Sequence, residues 1–343
     1  MSIKIAINGF GRIGRLVFRA ILEQSDYEVV AINDLTDAET LAHLLKYDSV
    51  HGRFSGLVTV DGEVMVVNGR RIPISAQKDI TKLDWKAFKK DGDTLIVVES
   101  TGFYRDPVIA REHVRNGADK VIISAPAKKN KPDATIVLGV NESHPETGYR
   151  PEHQVISNAS CTTNCLGPMV KVLNDAFGIV KGFMTTIHSY TNDQRILDLP
   201  HSDLRRARAA ALSQIPTTTG AASAIGKVLP DLAGKLDGIS VRVPTPNVSL
   251  VDLVVELARP ATVDQIKAAC RAYAQDEVTS RYMLYTEEPV VSSDFNHDPH
   301  SCIVDGEFIK IIEGTNLVKM LAWYDNEWAY SCRIVDLITL MTR

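Results

Sequence analysis

The chain reads as two α/β domains. The amino-terminal half predicts an open, mostly parallel sheet wrapped by helices, and the rest predicts a helix-backed, mostly antiparallel sheet. Three observations lead there. Apolar, β-branched runs alternate with helical stretches through residue 140 or so, as in doubly wound sheets. A glycine-rich turn follows the first of those runs. Beyond residue 180 the runs succeed one another with turn residues between them, as antiparallel strands do.

Ile3 to Ile7 is the first strand, and Asn8-Gly9-Phe10-Gly11-Arg12-Ile13-Gly14 follows it with glycines at GxGxxG spacing. Ile13, Val17, Ala20 and Ile21 then share one helical face. A second strand, Tyr27 to Ile32, ends at Asp34, twenty residues past Gly14. Strand, glycine turn, helix and distant acid together make a dinucleotide site. Gly9 makes a tight turn, Gly11 allows close approach to a pyrophosphate, Gly14 packs the helix, and the helix N-terminus receives the phosphates. Asp34 is placed to bind ribose hydroxyls, and its charge favours NAD over NADP. Arg12 lies beside the phosphate turn. A helix is expected over Ala38 to Tyr47, with hairpin turns at Asp61-Gly62 and Asn68-Gly69. Further strands are expected at Thr94 to Glu99, Lys120 to Ser124 and Thr135 to Val140. Ser100, Thr101 and Gly102 fall at the carboxyl end of one of them, where such sheets bind ligands.

Val155 and Ile156 lead into Ser157-Asn158-Ala159-Ser160-Cys161-Thr162-Thr163-Asn164-Cys165, and a helix-compatible run leads out. Ser160, Thr162 and Thr163 are helix-start residues, so Cys161 is expected at a helix N-terminus, whose partial positive charge favours thiolate. Cys165, one turn deeper, reads as a small buried hydrophobe. A strand over Val180 to Ser189 carries His188 near its end, the best histidine partner for Cys161 among nine. A long polar loop, 190–216, holds the basic cluster Arg205, Arg206 and Arg208; for Arg205 and Arg206 a solvated or intersubunit face is expected. Thr217-Thr218-Thr219-Gly220 precedes a small-residue helix, a second anion site in outline. Arg242 sits in an otherwise apolar strand and needs an anionic ligand or a carboxylate partner. Ile239 to Val243, Ser249 to Ala258, Val291 to Asp294 and Leu317 to Trp323 read as strands of the second sheet, and Trp328 to Met341 as an amphipathic helix.

With 45% hydrophobic and 23% charged residues and a net charge of -4, the composition is that of an ordinary globular protein and argues against a dedicated nucleic-acid or membrane-surface binder. Five cysteines in 343 residues suggest a reduced, cytoplasmic set without disulfides, and the Cys161/Cys165 pair lacks further ligands for a metal. The start lacks the pattern of a signal peptide, and no apolar run approaches the ~20 residues that span a bilayer. Cysteine with histidine fits a protease, a thioester-forming transferase or an aldehyde oxidiser; the dinucleotide half selects the last, because a hemithioacetal is a good hydride donor.

These motifs, with His188-Ser189-Tyr190-Thr191-Asn192-Asp193-Gln194, Arg242-Val243-Pro244 and Trp323-Tyr324-Asp325-Asn326-Glu327, resemble the phosphorylating glyceraldehyde-3-phosphate dehydrogenases from end to end. The resemblance implies a Rossmann-type NAD domain over residues 1–160, an α+β catalytic domain over 161–325 with its oligomer-forming loop, and a carboxy-terminal helix, 326–343, returning to the first domain. It implies Cys161 as nucleophile and His188 as base, with the Cys161 amide and the imidazole steadying an oxyanion. Asn8, Gly9, Phe10, Gly11, Arg12, Ile13, Gly14, Asp34, Ser100, Thr101 and Asn326 would hold NAD. Thr191, Asp193 and Arg242 would hold the C3 phosphate, and Ser160, Thr162, Thr219, Gly220 and Arg208 inorganic phosphate. A homotetramer and the glycolytic reaction, through a Cys161 hemithioacetal and thioester to 1,3-bisphosphoglycerate, complete the expectation. Asp294 to Ser301 looks more like the erythrose-4-phosphate dehydrogenases, which are the alternative; a catalytically silent NAD-binding thiol sensor is a more distant one.

Overall fold

The computed structural model describes residues 2–343. They fall into two compact units. One contains the chain up to Ile136 with Gly148–Ala159 and Ser331–Arg343, the other Val137–Thr147 and Ser160–Tyr330.

The first unit begins with β1 (Ile3–Asn8), α1 (Arg12–Gln24), β2 (Glu28–Asn33) and α2 (Ala38–Lys46). A small hairpin follows, β3 (Tyr47–Asp48) and β4 (Gly52–Arg53), then β5 (Val58–Asp61), β6 (Val64–Val67), β7 (Arg70–Ser75) and β8 (Thr94–Glu99). The one-turn helices α3 (Pro107–Ala110) and α4 (Glu112–Arg115) precede β9 (Lys120–Ile123), β10 (Ala134–Thr135) and β11 (Val155–Ser157). Nine strands form one sheet in the order β10-β11-β9-β8-β1-β2-β7-β6-β5. It is parallel from β10 to β7, with β5 and β6 added as an antiparallel edge. Ile5, Ala6 and Ile7 of β1 and Leu95 to Val98 of β8 are wholly buried, as expected of strands covered on both faces. Asn68 and Gly69 both have positive φ, 51° and 81°, which is what a two-residue hairpin turn requires.

The second unit contains α5 (Cys161–Phe177), β12 (Ile179–Ser189), β13 (Ile215–Thr218), α6 (Ala221–Val228), β14 (Leu236–Val243), β15 (Ser249–Leu257) and α7 (Val263–Gln275). After these come β16 (Met283–Thr286), β17 (Cys302–Ile311), β18 (Leu317–Tyr324) and α8 (Trp328–Met341), the last continuing into the first unit. The sheet order is β13-β14-β12-β15-β18-β17-β16. Alternate residues of β15, from Ser249 to Leu257, are buried, and helices α5 and α7 pack against this sheet. No helix among the described residues is long and apolar enough to cross a membrane.

Four expectations need correction. The strand expected over Thr135 to Val140 is replaced by a two-residue strand, Ala134–Thr135, that shares only Thr135 with it, because the Val137 amide donates instead to Asn141 Oδ1 at 2.8 Å and the chain turns. Val291 to Asp294 is no strand: Asp294 Oδ2 accepts from the Val291 amide at 2.7 Å and a 3-10 turn, Ser292–Phe295, results. β14 and β15 do not pair with each other; β12 lies between them, parallel to β14 and antiparallel to β15. Helix α8 is buried nearly all round rather than amphipathic.

The glycines of the first turn differ in what they permit. Gly9 has φ of 93°, and an added Cβ would lie 2.6 Å from the Thr101 amide nitrogen. At Gly14 it would lie 2.1 Å from the Gly9 carbonyl oxygen, whereas at Gly11 it would meet nothing within 4 Å. Gly14→Ala is therefore expected to cost about 2 kcal/mol or more of stability. Gly11→Ala should leave the urea midpoint within error; equal losses in both variants would contradict the packing argument.

Candidate active site

Strand β11 delivers the chain to Ala159, whose φ of 52° is unusual for a residue with a side chain, and the next residue caps α5. Ser160 Oγ accepts from the Thr163 amide at 3.0 Å, which leaves Cys161 as the first helical residue, half-buried at the N-terminus as expected. The helix is anchored from inside by Tyr324, fully buried on β18. Its hydroxyl lies 2.8 Å from Thr162 Oγ1 and 2.9 Å from Thr186 Oγ1 of β12. The expected anion ligand Thr162 thus turns its hydroxyl inward. Cys165 is buried, with its thiol 3.9 Å from the Ala322 carbonyl oxygen, as a small core residue.

Parallel pairing of β12 with β14 sets His188 directly opposite Arg242. Cys161 Sγ lies 3.5 Å from His188 Nε2. On the other side of the ring Nδ1 lies 2.7 Å from the Ser189 carbonyl oxygen, which accepts its proton and leaves Nε2 as the base facing sulfur. Tyr324 meets the same ring edge to face at 6.0 Å. Arg242 Nη1 stands 3.0 Å from Nδ1, and donates to the Ser189 carbonyl at 3.0 Å and to Thr191 Oγ1 at 3.3 Å. Buried Arg242 Nε has no partner. A cation with an unused donor, fixed beside a threonine hydroxyl, suits a phosphate group.

The electrostatics modify the expectation of a standing thiolate. Burial pushes the Cys161 thiol up, against the pull of Arg242 and of hydrogen bonds from Thr162. Burial, then Arg242, pushes His188 down to about 3. Both shifts favour thiol with neutral imidazole. Moving the proton from Sγ to Nε2 leaves the pair without net charge, so burial resists this transfer less than loss of the proton to solvent. The geometry thus places His188 Nε2 where it can receive the Cys161 proton, and burial opposes the pull of the helix terminus on the sulfur.

The remaining expected anion ligands are only partly assembled. Asp193 pairs with Arg206, and its second oxygen lies 3.6 Å from His201 Nε2, so its charge is directed to cations. Arg206, expected to be a solvated or intersubunit charge, is instead mostly covered and donates to Thr217 Oγ1 at 3.0 Å and to the Thr218 carbonyl at 3.4 Å. Arg208 faces Asp198 at 2.8 Å and stays largely exposed. Thr219 Oγ1 accepts from the Ala221 amide at 3.2 Å, and Gly220 starts α6 without a side-chain cap.

In the first unit the glycine turn meets the conditions of a dinucleotide site. Helix α1 begins at Arg12 with no side-chain cap and no acid in its first turn, so no charge of its own offsets the positive end that an anionic ligand would meet. Asp34 accepts from the Phe10 amide at 2.7 Å and the Thr36 amide at 3.0 Å, which fixes the carboxylate beside the turn. Ser100 Oγ is buried without a partner, next to Thr101, an orphan that a polar cofactor would satisfy. Ile13 is partly buried, and Arg12 is fixed by Asp48 at 2.6 Å. Burial would raise Asp48, but the His51 and Val50 amides and Arg12 outweigh it and hold the group at about 2. In the second unit Ser249 Oγ accepts from the Ser189 amide at 3.1 Å and donates to Asn326 Oδ1 at 2.7 Å. That orients the Asn326 amide nitrogen away from Ser249, on a framework shared with His188.

Sequence reading missed Tyr324 and Arg206 as parts of this site. A tyrosine at a strand end carries no chemical signature, and only the Asp193 pairing distinguishes Arg206 from its neighbours.

Family models described as glyceraldehyde 3-phosphate dehydrogenase, NAD binding domain and C-terminal domain, match residues 3–107 and 160–326. The glyceraldehyde-3-phosphate dehydrogenase of Geobacillus stearothermophilus is 58% identical over 98% of this chain and 97% of its own length. Glyceraldehyde-3-phosphate dehydrogenase 1 of Bacillus subtilis is 55% identical over 100% and 99%, and the protein of that name without a number from Priestia megaterium 57% over 98% and 97%.

Because His188 is the local acceptor, His188→Asn should slow alkylation of Cys161 by iodoacetamide about tenfold or more at pH 7 and move the midpoint of its pH profile upward. An unchanged profile would mean that the imidazole does not take this proton.

Proposed function

The chain belongs to the glyceraldehyde-3-phosphate dehydrogenase family and is an NAD-dependent, phosphorylating dehydrogenase of glyceraldehyde 3-phosphate; from that premise we propose which of its residues perform each step. The two alternatives raised by the sequence, erythrose-4-phosphate oxidation and a silent thiol sensor, gain no support from these relatives.

Cys161 Sγ attacks the aldehyde carbon while its proton passes to His188 Nε2, giving a hemithioacetal. The Cys161 amide at the helix terminus and the imidazolium steady the oxygen, which carries negative charge as the carbon becomes tetrahedral. NAD, when bound, supplies the hydride acceptor. The imidazolium first gives its proton to the tetrahedral oxygen, which becomes the hemithioacetal hydroxyl and leaves His188 neutral; as the hydride leaves, His188 takes that proton back and the carbonyl re-forms as a Cys161 thioester. Inorganic phosphate then attacks that carbon, the C–S bond breaks, and 1,3-bisphosphoglycerate leaves Cys161 free. Supporting the reading above all is the 3.5 Å approach of Sγ to Nε2 with the tautomer set by Ser189.

Arg242 and Thr191 bind the C3 phosphate. Asp193 acts on this site through Arg206, since a carboxylate repels phosphate. Ser160, Thr162, Thr219, Gly220 and Arg208 are assigned to inorganic phosphate. For Thr162 the donor is its amide, as its hydroxyl is held by Tyr324, and Arg208 must leave Asp198 to take part. Asn8, Gly9, Phe10, Gly11, Ile13 and Gly14 form the pyrophosphate turn with Arg12 at its rim; Asp34 takes the ribose hydroxyls, Ser100 and Thr101 line the adenosine side, and Asn326 contacts the nicotinamide carboxamide. Residues 1–160 serve as the NAD domain and 161–325 as the catalytic domain, with 326–343 returning to the first. Loop 190–216 exposes Ile196, Leu197, Leu199, Leu204 and Leu212, an apolar set that second copies of the chain would cover in a homotetramer. The enzyme works in the cytoplasm, on small molecules and without nucleic-acid or membrane partners.

Stopped-flow with NAD and glyceraldehyde 3-phosphate should show one NADH per site without phosphate and sustained turnover with it. Cys161→Ser should abolish the burst, and His188→Asn should slow it about 10²- to 10⁴-fold. A full burst in Cys161→Ser would end this assignment. Light scattering should give about four times the 37.7 kDa chain mass, and Leu204→Asp should lower it; a monomeric wild type would refute the tetramer.

A further inference from the structure

Below the glycine turn lies a buried polar chain that the reaction does not use. Glu99, at the end of β8, is 2% exposed, and its neighbours Asn8, Asn33, Trp85 and His113 are all buried as well. Glu99 Oε2 accepts from Asn8 Nδ2 at 2.6 Å and lies 3.0 Å from His113 Nε2. Glu99 Oε1 accepts from the Thr101 amide at 2.9 Å and from the Thr101 hydroxyl. Trp85 Nε1 donates to His113 Nδ1 at 3.0 Å, and indole nitrogen has no other role, so the histidine proton resides on Nε2 and points at Glu99. Four donors thus converge on one side chain that faces no acceptor, the pattern of a carboxylate.

From Asn8 the chain continues. Its Oδ1 accepts from Asn33 Nδ2 at 2.8 Å, and Asn33 Oδ1 accepts from Ser75 Oγ and the Gln77 amide, each at 2.8 Å. The carboxyl ends of β8, β1, β2 and β7 are therefore joined side chain to side chain. Thr101 is also the residue whose backbone an added Cβ on Gly9 would strike. Glu99 fixes Thr101 from one side, and Gly9 closes on it from the other.

We propose that Glu99 is a positioning residue for NAD: by holding Thr101 and Asn8 it sets the separation of the strand ends between which the cofactor lies. The inference rests on the assignment of Asn8, Gly9 and Thr101 to the cofactor site. Glu99→Gln has no good orientation. Its NH₂ faces either the Thr101 N–H or the paired donors Asn8 and His113. Asn8 cannot turn over without setting its amide against Asn33, and His113 cannot change tautomer without setting N–H against Trp85.

The experiment is NAD titration by calorimetry, with steady-state kinetics alongside. Glu99→Gln should raise the NAD Kd about tenfold or more. The kcat at saturating NAD and the KM for glyceraldehyde 3-phosphate should stay within about threefold of wild type. Val97→Ala, which removes core volume from the same strand, is the comparison of matched stability and should leave the Kd near wild type. An unchanged Kd in Glu99→Gln, or an equal rise in Val97→Ala, overturns the proposal. If Glu99→Gln does not fold, His113→Phe, which keeps three of the four donors, carries the same comparison, with a smaller rise in Kd expected and an unchanged Kd again overturning it. Gly11→Val separates the two layers of argument. Its Kd should rise whatever Glu99 does, and an unchanged value there would show that the cofactor assignment itself has failed.

Discussion

The structure depends on one contact between two groups that burial would keep uncharged, the thiol of Cys161 and the imidazole of His188. Each is placed by a separate rigid element, the first turn of α5 and the end of β12, and neither could be moved by an ångström without losing the proton path. The Ser189 carbonyl decides which ring nitrogen carries hydrogen, and Tyr324 ties both elements together from below through Thr162 and Thr186. Burial disfavours standing charge on either group, and in the reaction we propose the negative charge that develops as sulfur bonds to carbon meets the helix terminus.

The sheet of the second unit explains why these side chains meet. Parallel registry of β12 and β14 pairs His188 with Arg242, and the antiparallel partner β15 supplies Ser249, which links the Ser189 amide to Asn326. Neighbouring strand ends thus bring together the residues we propose as base, phosphate-binding cation and cofactor-binding amide. In the first unit a comparable task falls to the carboxyl ends of four parallel strands, where the backbone of a glycine turn approaches Thr101 too closely for any side chain to intervene.

Much of this was legible beforehand. The strands β1, β2, β8 and β12 follow from apolar runs bounded by turn residues, and α1 and α5 from the glycine and hydroxyl signals that start them. Position and chemistry alone pair Cys161 with His188, and the structure sets them 3.5 Å apart. What the sequence could not show was pairing. Periodicity is the same whether β14 lies beside β15 or one strand away, and whether Val291 to Asp294 extends or turns depends on one aspartate choosing a nearby amide. Arg206 and Arg208 are two residues apart in one loop, and only the fold directs one to Asp193 and the other to Asp198. Ionisation was the subtlest loss, since a helix terminus is visible in sequence and the burial opposing it is not.

The most direct measurement is mass spectrometry of the protein quenched in acid after mixing with NAD and glyceraldehyde 3-phosphate in the absence of inorganic phosphate. The account predicts a single 3-phosphoglyceroyl adduct on the peptide bearing Cys161, which disappears when phosphate is added before quenching. An adduct on another cysteine, or NADH formed with no adduct at all, would contradict it.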